Sequence, residues 1–192
     1  MFHQNYQEQE LLSIEDIKYR YYINKAEQVN IFELPQQYTV IKSNYHYQNP
    51  NAHCWDVNII TIYENVGPGP LRQVCEFVRN YPSFSAEYVR QNEKDYLLTS
   101  GDYQSITIVN LTDGVVKSYA DPDCLAFGAG FCPVDFCACE DYCWIEGCVW
   151  GGDMERMHCD NIDYSNPIEA FNNARWSDDE NNFYEDMEDD ED

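Results

Sequence analysis

Basic residues are scarce in this chain. Among its 192 residues, 11 Lys and Arg stand against 35 Asp and Glu, which gives a formal net charge of −24. Such a charge repels phosphate backbones and anionic lipid surfaces, so we expect no direct binding to nucleic acid and none to a membrane. It attracts basic proteins, which are therefore the expected class of partner.

Long apolar runs are also lacking. No stretch approaches the roughly 20 apolar residues that a membrane-spanning helix needs, and the polar start MFHQNYQEQELLSIED is not a signal peptide. These absences predict an intracellular, cytoplasmic protein whose nine cysteines are free thiols or metal ligands rather than disulfides. The composition, rich in Asn, Tyr, Asp and Cys, resembles that of proteins from large DNA viruses and bacteria; a viral protein would lie in the host cytoplasm.

The motifs of common enzyme classes are missing as well. GPGP and GAG lack the lysine and the following helix of a phosphate-binding loop, and the four histidines show no ligand spacing. His53-Cys54 and His158-Cys159 are neighbours in sequence, and neighbours in a strand point to opposite faces. We therefore predict no catalytic residue and no enzyme activity.

The chain divides into three regions by composition. Residues 1–36 contain Ser13 three positions before Asp16, a variant of a helix-capping pattern, and predict a short helix or a docking arm. Residues 37–176 predict a β domain. Residues 177–192 predict a disordered acidic tail, since ten of the last fifteen residues are Asp or Glu.

The middle region has the alternation of an antiparallel β-protein. QYTVIKSNYHY, WDVNIITIYE and LRQVCEFV are rich in β-branched and aromatic residues. The most regular stretch predicts strands at Tyr96–Ser100, Ser105–Leu111 and Val115–Tyr119. Asp113-Gly114 between the last two is a strong hairpin signal, because the favoured turn requires positive φ angles.

This unit resembles one blade of a WD-repeat β-propeller. Such a blade leaves a strand with Ser-Gly, here Ser100-Gly101, and turns at a glycine, here Gly114, between its next two strands. The same pattern of strands and turns repeats in PVDFCACE, YCWIEGCV and MERMHCDNID, with a period of about 40 residues. The resemblance implies a mainly β fold of two to three antiparallel, propeller-like blades. A closed propeller needs about four to eight blades, so we expect uncovered sheet edges and faces.

The cysteines of GFCPVDFCACEDYCWIEGCVWGGD permit several interpretations. A structural zinc site could draw on Cys137, Cys139, Cys143 and Cys159, although no Cys-x₂-Cys knuckle is present. A nucleophilic cysteine would need a neighbouring base, which adjacency in a strand does not supply. The favoured interpretation is a hairpin with Glu140-Asp141 at its tip, in which cysteine serves as a small hydrophobic residue and no cofactor is bound.

A short motif near the N-terminus resembles the helix by which scaffold and repressor proteins dock on the cap-binding translation initiation factor. It consists of Tyr6, Leu11 and Leu12 in the spacing Tyr-x₄-Leu-Φ. Three hypotheses on function follow. The first is a non-enzymatic protein–protein interaction module that uses an uncovered sheet edge or face and the acidic tail. The alternatives are a translation-related docking subunit and a zinc-stabilised structural protein.

Overall fold

The computed structural model describes residues 5–11, 13–15, 26, 28–45, 57–79, 84–101, 104–122, 130–149 and 152–178. These residues form thirteen strands and one short helix, α1, at Ile168–Asn172. The first strands are β1 Gln7–Gln9, β2 Gln28–Glu33, β3 Tyr38–Tyr45, β4 Val57–Glu64, β5 Arg72–Arg79, β6 Ala86–Gln91 and β7 Lys94–Ser100. The others are β8 Ile106–Asn110, β9 Val115–Ala120, β10 Phe131–Ala138, β11 Tyr142–Val149, β12 Met154–Asp160 and β13 Arg175–Asp178.

The strands form three antiparallel sheets, which confirms the mainly β fold of two to three blades. The first blade has the order β2-β3-β4-β5, and the third has the order β10-β11-β12-β13. The second blade has the order β6-β7-β8-β9 and carries β1 on its β9 edge. Each blade is thus a meander of four strands, and none of the sheets formed by the described residues closes into a barrel.

The hairpin predicted at Asp113-Gly114 is present, with a longer turn than the two-residue type. β8 ends at Asn110 and β9 begins at Val115, so four residues connect them. The Gly114 amide donates to the Asn110 carbonyl at 2.8 Å, and Gly114 alone in this turn has a positive φ, 71°. A side chain at Gly114 would lie 2.7 Å from the Val74 carbonyl of the first blade, so the position requires glycine for packing as well.

The N-terminal region differs from the separate arm that its sequence suggests, since it contributes two strands. β1 pairs with β9 from Gln7 opposite Ala120 to Gln9 opposite Ser118, and β2 is the edge strand of the first blade. Ile14 packs against Val57 and Val78 on the other face of the first blade. Ile14 and Glu15, directly after Ser13, have helical backbone conformation, and residues 16–25 lie outside the described part of the chain. The N-terminal region thus combines strand pairing with the helical signal predicted from its sequence.

The second blade is covered on both faces. One face contributes Leu97, Val109 and Leu111 to a cluster with the first blade, where Ile60 and Ile62 are fully buried. The opposite face packs on the third blade through a larger cluster. Its buried members from the second blade are Val89, Tyr96, Leu98, Ile106, Ile108 and Tyr119, and those from the third blade include Phe136, Cys143, Ile145, Met157 and Cys159.

Polar contacts fix the first blade against the second. Arg79, only 1% exposed, donates to both the carbonyl and the hydroxyl oxygen of Ser100 on β7. Asp95 accepts hydrogen bonds from the hydroxyls of Tyr38 at 3.2 Å and Tyr88 at 2.6 Å. Burial, with Asp95 nearby, raises the pKa of both tyrosines to about 12, so they remain donors at physiological pH.

One glutamine fixes the second blade against the third. Gln91, at the end of β6, donates to the carbonyls of Glu140 and Ile162 and accepts a hydrogen bond from the Tyr164 amide at 3.0 Å. Its amide group is thus satisfied at three points although the residue is only 8% exposed. This bridge holds the β10–β11 turn beside the β6–β7 turn.

Candidate partner-binding face

The two faces of the third blade differ in character. Strand register places Phe136, Ile145, Met157 and Trp176 in one cross-strand row, and this row belongs to the core shared with the second blade. The adjacent rows point the opposite way because side chains alternate along a strand. We name this opposite side the Trp144 face; it comprises Cys137, Cys139, Tyr142, Trp144, Glu146, Met154, Arg156 and His158.

An aromatic–cation pair lies at the centre of the Trp144 face. The Arg156 guanidinium carbon is 4.6 Å from the Trp144 ring centroid. The same guanidinium donates to Glu146 at 3.2 Å, and the Arg156 side chain is only 12% exposed. Stacking and ion pairing together hold the indole ring in one orientation. The face therefore presents an aromatic surface that is already ordered.

Two exposed side chains flank this pair. Tyr142 is 46% exposed and Met154 is 43% exposed. Tyrosine, tryptophan, methionine and arginine are the residue types enriched at protein–protein interfaces, and Trp, Tyr and Arg dominate binding hot spots. The Trp144 face thus has the composition of a contact surface.

A depression of about 400 Å³ lies where three turns meet. Two of its lining residues, Glu140 and Asp141, are acidic and exposed, and they precede Tyr142 in sequence at the tip of the β10–β11 hairpin. The lining residues are Gln91, Asn92, Glu140, Asp141, Asn161 and Ile162. The depression is therefore suited to a cationic side chain.

Strand β13 closes the edge of the Trp144 face. The Arg175 guanidinium donates to both carboxylate oxygens of Asp160, at 3.0 and 3.1 Å. The His158 ring nitrogen Nε2 and the Ser177 hydroxyl are 3.1 Å apart. Strand β13 ends at Asp178, and the acidic sequence 179–192 lies outside the described residues.

The cysteines of the third blade are divided between its two faces. Cys143 and Cys159 lie on the core side, directly opposite each other on β11 and β12, whereas Cys137 and Cys139 lie two residues apart on the Trp144 face. Burial, followed by the neighbouring Cys139, raises the pKa of Cys137 to about 11. The hydrogen bond to Cys159 and burial raise the pKa of Cys143 well above its ordinary value. Both thiols therefore remain protonated and weakly nucleophilic at neutral pH.

The four cysteines named as zinc ligands fall into two separate pairs. In the described part of the chain, no group of three or more His, Cys, Asp or Glu side chains is arranged to hold a metal ion. Zinc in a structural site needs four converging ligands. Binding at Cys137, Cys139, Cys143 and Cys159 would therefore require rearrangement of the sheet, and the zinc hypothesis stays a prediction.

The docking motif near the N-terminus occupies a core position. Tyr6 is 5% exposed, and its ring centroid lies 5.6 Å from that of Phe171. Its amide donates to the Asn172 side chain at 2.6 Å. Leu11 is half-buried, and Leu12 lies outside the described residues. Helical docking through Tyr6, Leu11 and Leu12 would require this segment to leave the sheet, and it stays a prediction.

Comparison with known proteins returns nothing: no family model, no curated protein and no solved structure matches this chain. The resemblance to WD-repeat blades thus depends on the sequence pattern, and three antiparallel sheets are compatible with it. Within the described ranges, no helix has the length and apolarity to cross a membrane.

Sequence reasoning predicted the hairpin that carries the Trp144 face but not the face itself. The alternation in YCWIEGCV places Tyr142, Trp144 and Glu146 on one side, and this signal is readable from the sequence alone. The partner of Trp144, Arg156, lies on another strand, and only the register of β11 with β12 brings the two together.

Proposed function

We propose that this protein is a non-enzymatic protein–protein interaction module that binds a basic partner through the Trp144 face. The observation that carries the proposal is the contrast between blades: both faces of the second blade are buried in core clusters, whereas the Trp144 face presents exposed Tyr142 and Met154 beside an ordered tryptophan. Aromatic anchors held in place before binding lose little entropy when a partner docks.

Charge supports a basic partner. Glu140 and Asp141, which precede Tyr142 in sequence, line a depression, and the sequence beyond Asp178 is mostly acidic. A lysine or arginine of the partner would enter the depression while an apolar group covers Trp144. The acidic tail would speed the encounter by long-range attraction, an effect that salt weakens.

The thiol chemistry supports a role without catalysis. A catalytic cysteine is activated by a lowered pKa, whereas the pKa values of Cys137 and Cys143 are raised. Protonated, partly or fully buried thiols are more consistent with packing than with nucleophilic catalysis.

The test is a quantitative binding measurement on full-length protein. A partner captured from the native host cell and identified by mass spectrometry is purified, and its Kd is measured for the wild type and for Tyr142→Ala/Trp144→Ala. We expect at least a tenfold weaker Kd for the double variant and a weaker Kd at higher NaCl for both.

Tyr63→Ala is the matched control, because Tyr63 is a half-buried tyrosine on β4 of the first blade. Equal losses from Tyr63→Ala and from the double variant would argue against this face, and a Kd independent of NaCl would argue against a basic partner. Removal of residues 179–192 measures the contribution of the tail separately.

A further inference from the structure

Two cysteines of the third blade lie directly opposite each other on neighbouring strands. Cys143 on β11 pairs with Cys159 on β12, and both belong to the core shared with the second blade. Each is 1% exposed. Since residues directly opposite each other in an antiparallel pair have side chains on the same face, the two thiol groups lie on the same side of the blade.

The register suits a covalent bond between these sulfurs. Residues directly opposite in an antiparallel pair have Cα atoms about 4.5–5.5 Å apart, and disulfides form across Cα separations of about 4.4–6.8 Å. The backbone therefore needs no rearrangement for Cys143 and Cys159 to be joined.

We propose that Cys143 and Cys159 are a dithiol modification site that is reversibly oxidised by a low-molecular-weight disulfide such as oxidised glutathione. Because both thiols are buried and protonated in the closed blade, the reaction begins when local opening exposes one of them; this thiol loses its proton and attacks the small disulfide, which forms a mixed disulfide and releases one small thiol. The second protein thiolate then displaces the other small thiol and forms the Cys143–Cys159 bond. Two S–H bonds and one S–S bond of the reactants become one protein S–S bond and two reduced small thiols, which carry the two protons.

The blade contains an internal comparison pair. Cys132 on β10 is also directly opposite a cysteine, Cys148 on β11. The Cys132 thiol donates instead to the Gly130 carbonyl at 3.6 Å. A register shift between Pro133 and Asp135 lies beside Cys132, whereas β11 and β12 pair without a shift around Cys143 and Cys159. We expect Cys143–Cys159 to form first.

The cross-link would act on the binding face, a consequence that depends on the proposed function. Cys143 precedes Trp144, and Cys159 follows His158, so the bond fixes β11 against β12 directly beneath the Trp144 face. It restrains the two strands that carry Trp144 and Arg156. Oxidised and reduced protein should therefore differ in affinity for the basic partner.

The test is a thiol map of the full-length protein after incubation with oxidised glutathione. Remaining thiols are alkylated, and the digested protein is analysed by mass spectrometry without reduction. We expect a cross-linked peptide that joins Cys143 to Cys159, reversal by dithiothreitol, and a rise in thermal midpoint of about 5–10 °C, because the bond closes a loop of about 15 residues. The midpoint of Cys143→Ala should not respond to the oxidant, whereas that of Cys75→Ala should rise like the wild type.

Two results would overturn the proposal: formation of Cys132–Cys148 before Cys143–Cys159, or no Cys143–Cys159 peptide in wild-type protein. The map requires neither a variant nor a partner, so poor folding of Cys143→Ala does not affect it. If the cross-link forms and the partner affinity is unchanged, the modification site stands and its proposed action on the Trp144 face fails.

Discussion

The first and third blades are alike on the inside and differ on the outside. Each buries aliphatic residues against the second blade, such as Ile62 and Ile145, both 0% exposed. Outside the core, the first blade exposes Val29, Ile31 and Phe32 on its edge strand β2, whereas the third exposes Tyr142 and Met154 beside the Trp144–Arg156 pair. Of the seven described cysteines, all but Cys75 lie in the third blade. The buried aliphatic residues that both blades pack against the second blade thus stabilise the fold. The difference between their exposed residues indicates which blade binds a partner.

The largest expected effect tests the shared interior. Ile62→Ala and Ile145→Ala should each lower the free energy of unfolding by about 2–5 kcal/mol, because each leaves a cavity in a fully buried cluster. Val115→Ala, at a position 45% exposed, is the control and should change stability by less than about 0.5 kcal/mol. Urea unfolding measures all three. A small loss at only one of the two isoleucines would show that the terminal blades are not packed alike.

The N-terminal segment gives the next largest effect. Tyr6→Ala should lower the free energy of unfolding by about 3 kcal/mol, since its ring packs on Phe171 in the core of the second and third blades. Leu11→Ala, at a half-buried position, should cost less. Capture of a cap-binding initiation factor is measured in parallel. If the double variant Tyr6→Ala/Leu11→Ala still captures that factor, the docking hypothesis for Tyr6, Leu11 and Leu12 fails.

Cys137 in the third blade and Cys75 in the first blade both have a raised thiol pKa, which predicts slow alkylation of each in the folded protein. The pKa of Cys137 is raised from 9.0 to about 11, and burial raises that of Cys75 in the first blade to about 12. Because the folded-state pKa lies above the ordinary value, the thiolate fraction at pH 8 is lower in the folded protein than in the unfolded chain. Alkylation of Cys137 by iodoacetamide at pH 8 should therefore be about 100-fold slower than in urea. Peptide mass spectrometry measures both rates, and equal rates would contradict the raised pKa.

The smallest expected effect concerns the aromatic–cation pair. A double-mutant cycle with Trp144→Ala and Arg156→Ala should give a coupling energy of about 0.5–1 kcal/mol for this partly buried pair. The cycle for Arg72 and Glu64 in the first blade is the comparison, because the Arg72 side chain is 58% exposed and its ion pair with Glu64 is open to solvent. It should give a smaller coupling. A larger coupling in the first blade would remove the argument that the Trp144 face is ordered before binding.

Local sequence signals predicted much of the β domain and little of its assembly. The strands around Asp113-Gly114 and the hairpin at Glu140-Asp141 follow from alternation and turn chemistry, which act between near neighbours. The strand β2 was missed because QVNIFE is short and carries weak alternation. The stacking of Arg156 on Trp144 and the opposition of Cys143 to Cys159 depend on register between strands, which no local signal encodes.

Hydrogen–deuterium exchange of the full-length protein, with and without its purified basic partner, tests directly whether the partner binds the Trp144 face. We predict that binding slows exchange in β11 and β12, at Tyr142–Val149 and Met154–Asp160, and leaves β2 unchanged. Slowed exchange in β2 with unchanged exchange in β11 and β12 would place the partner on the first blade and exclude binding at the Trp144 face.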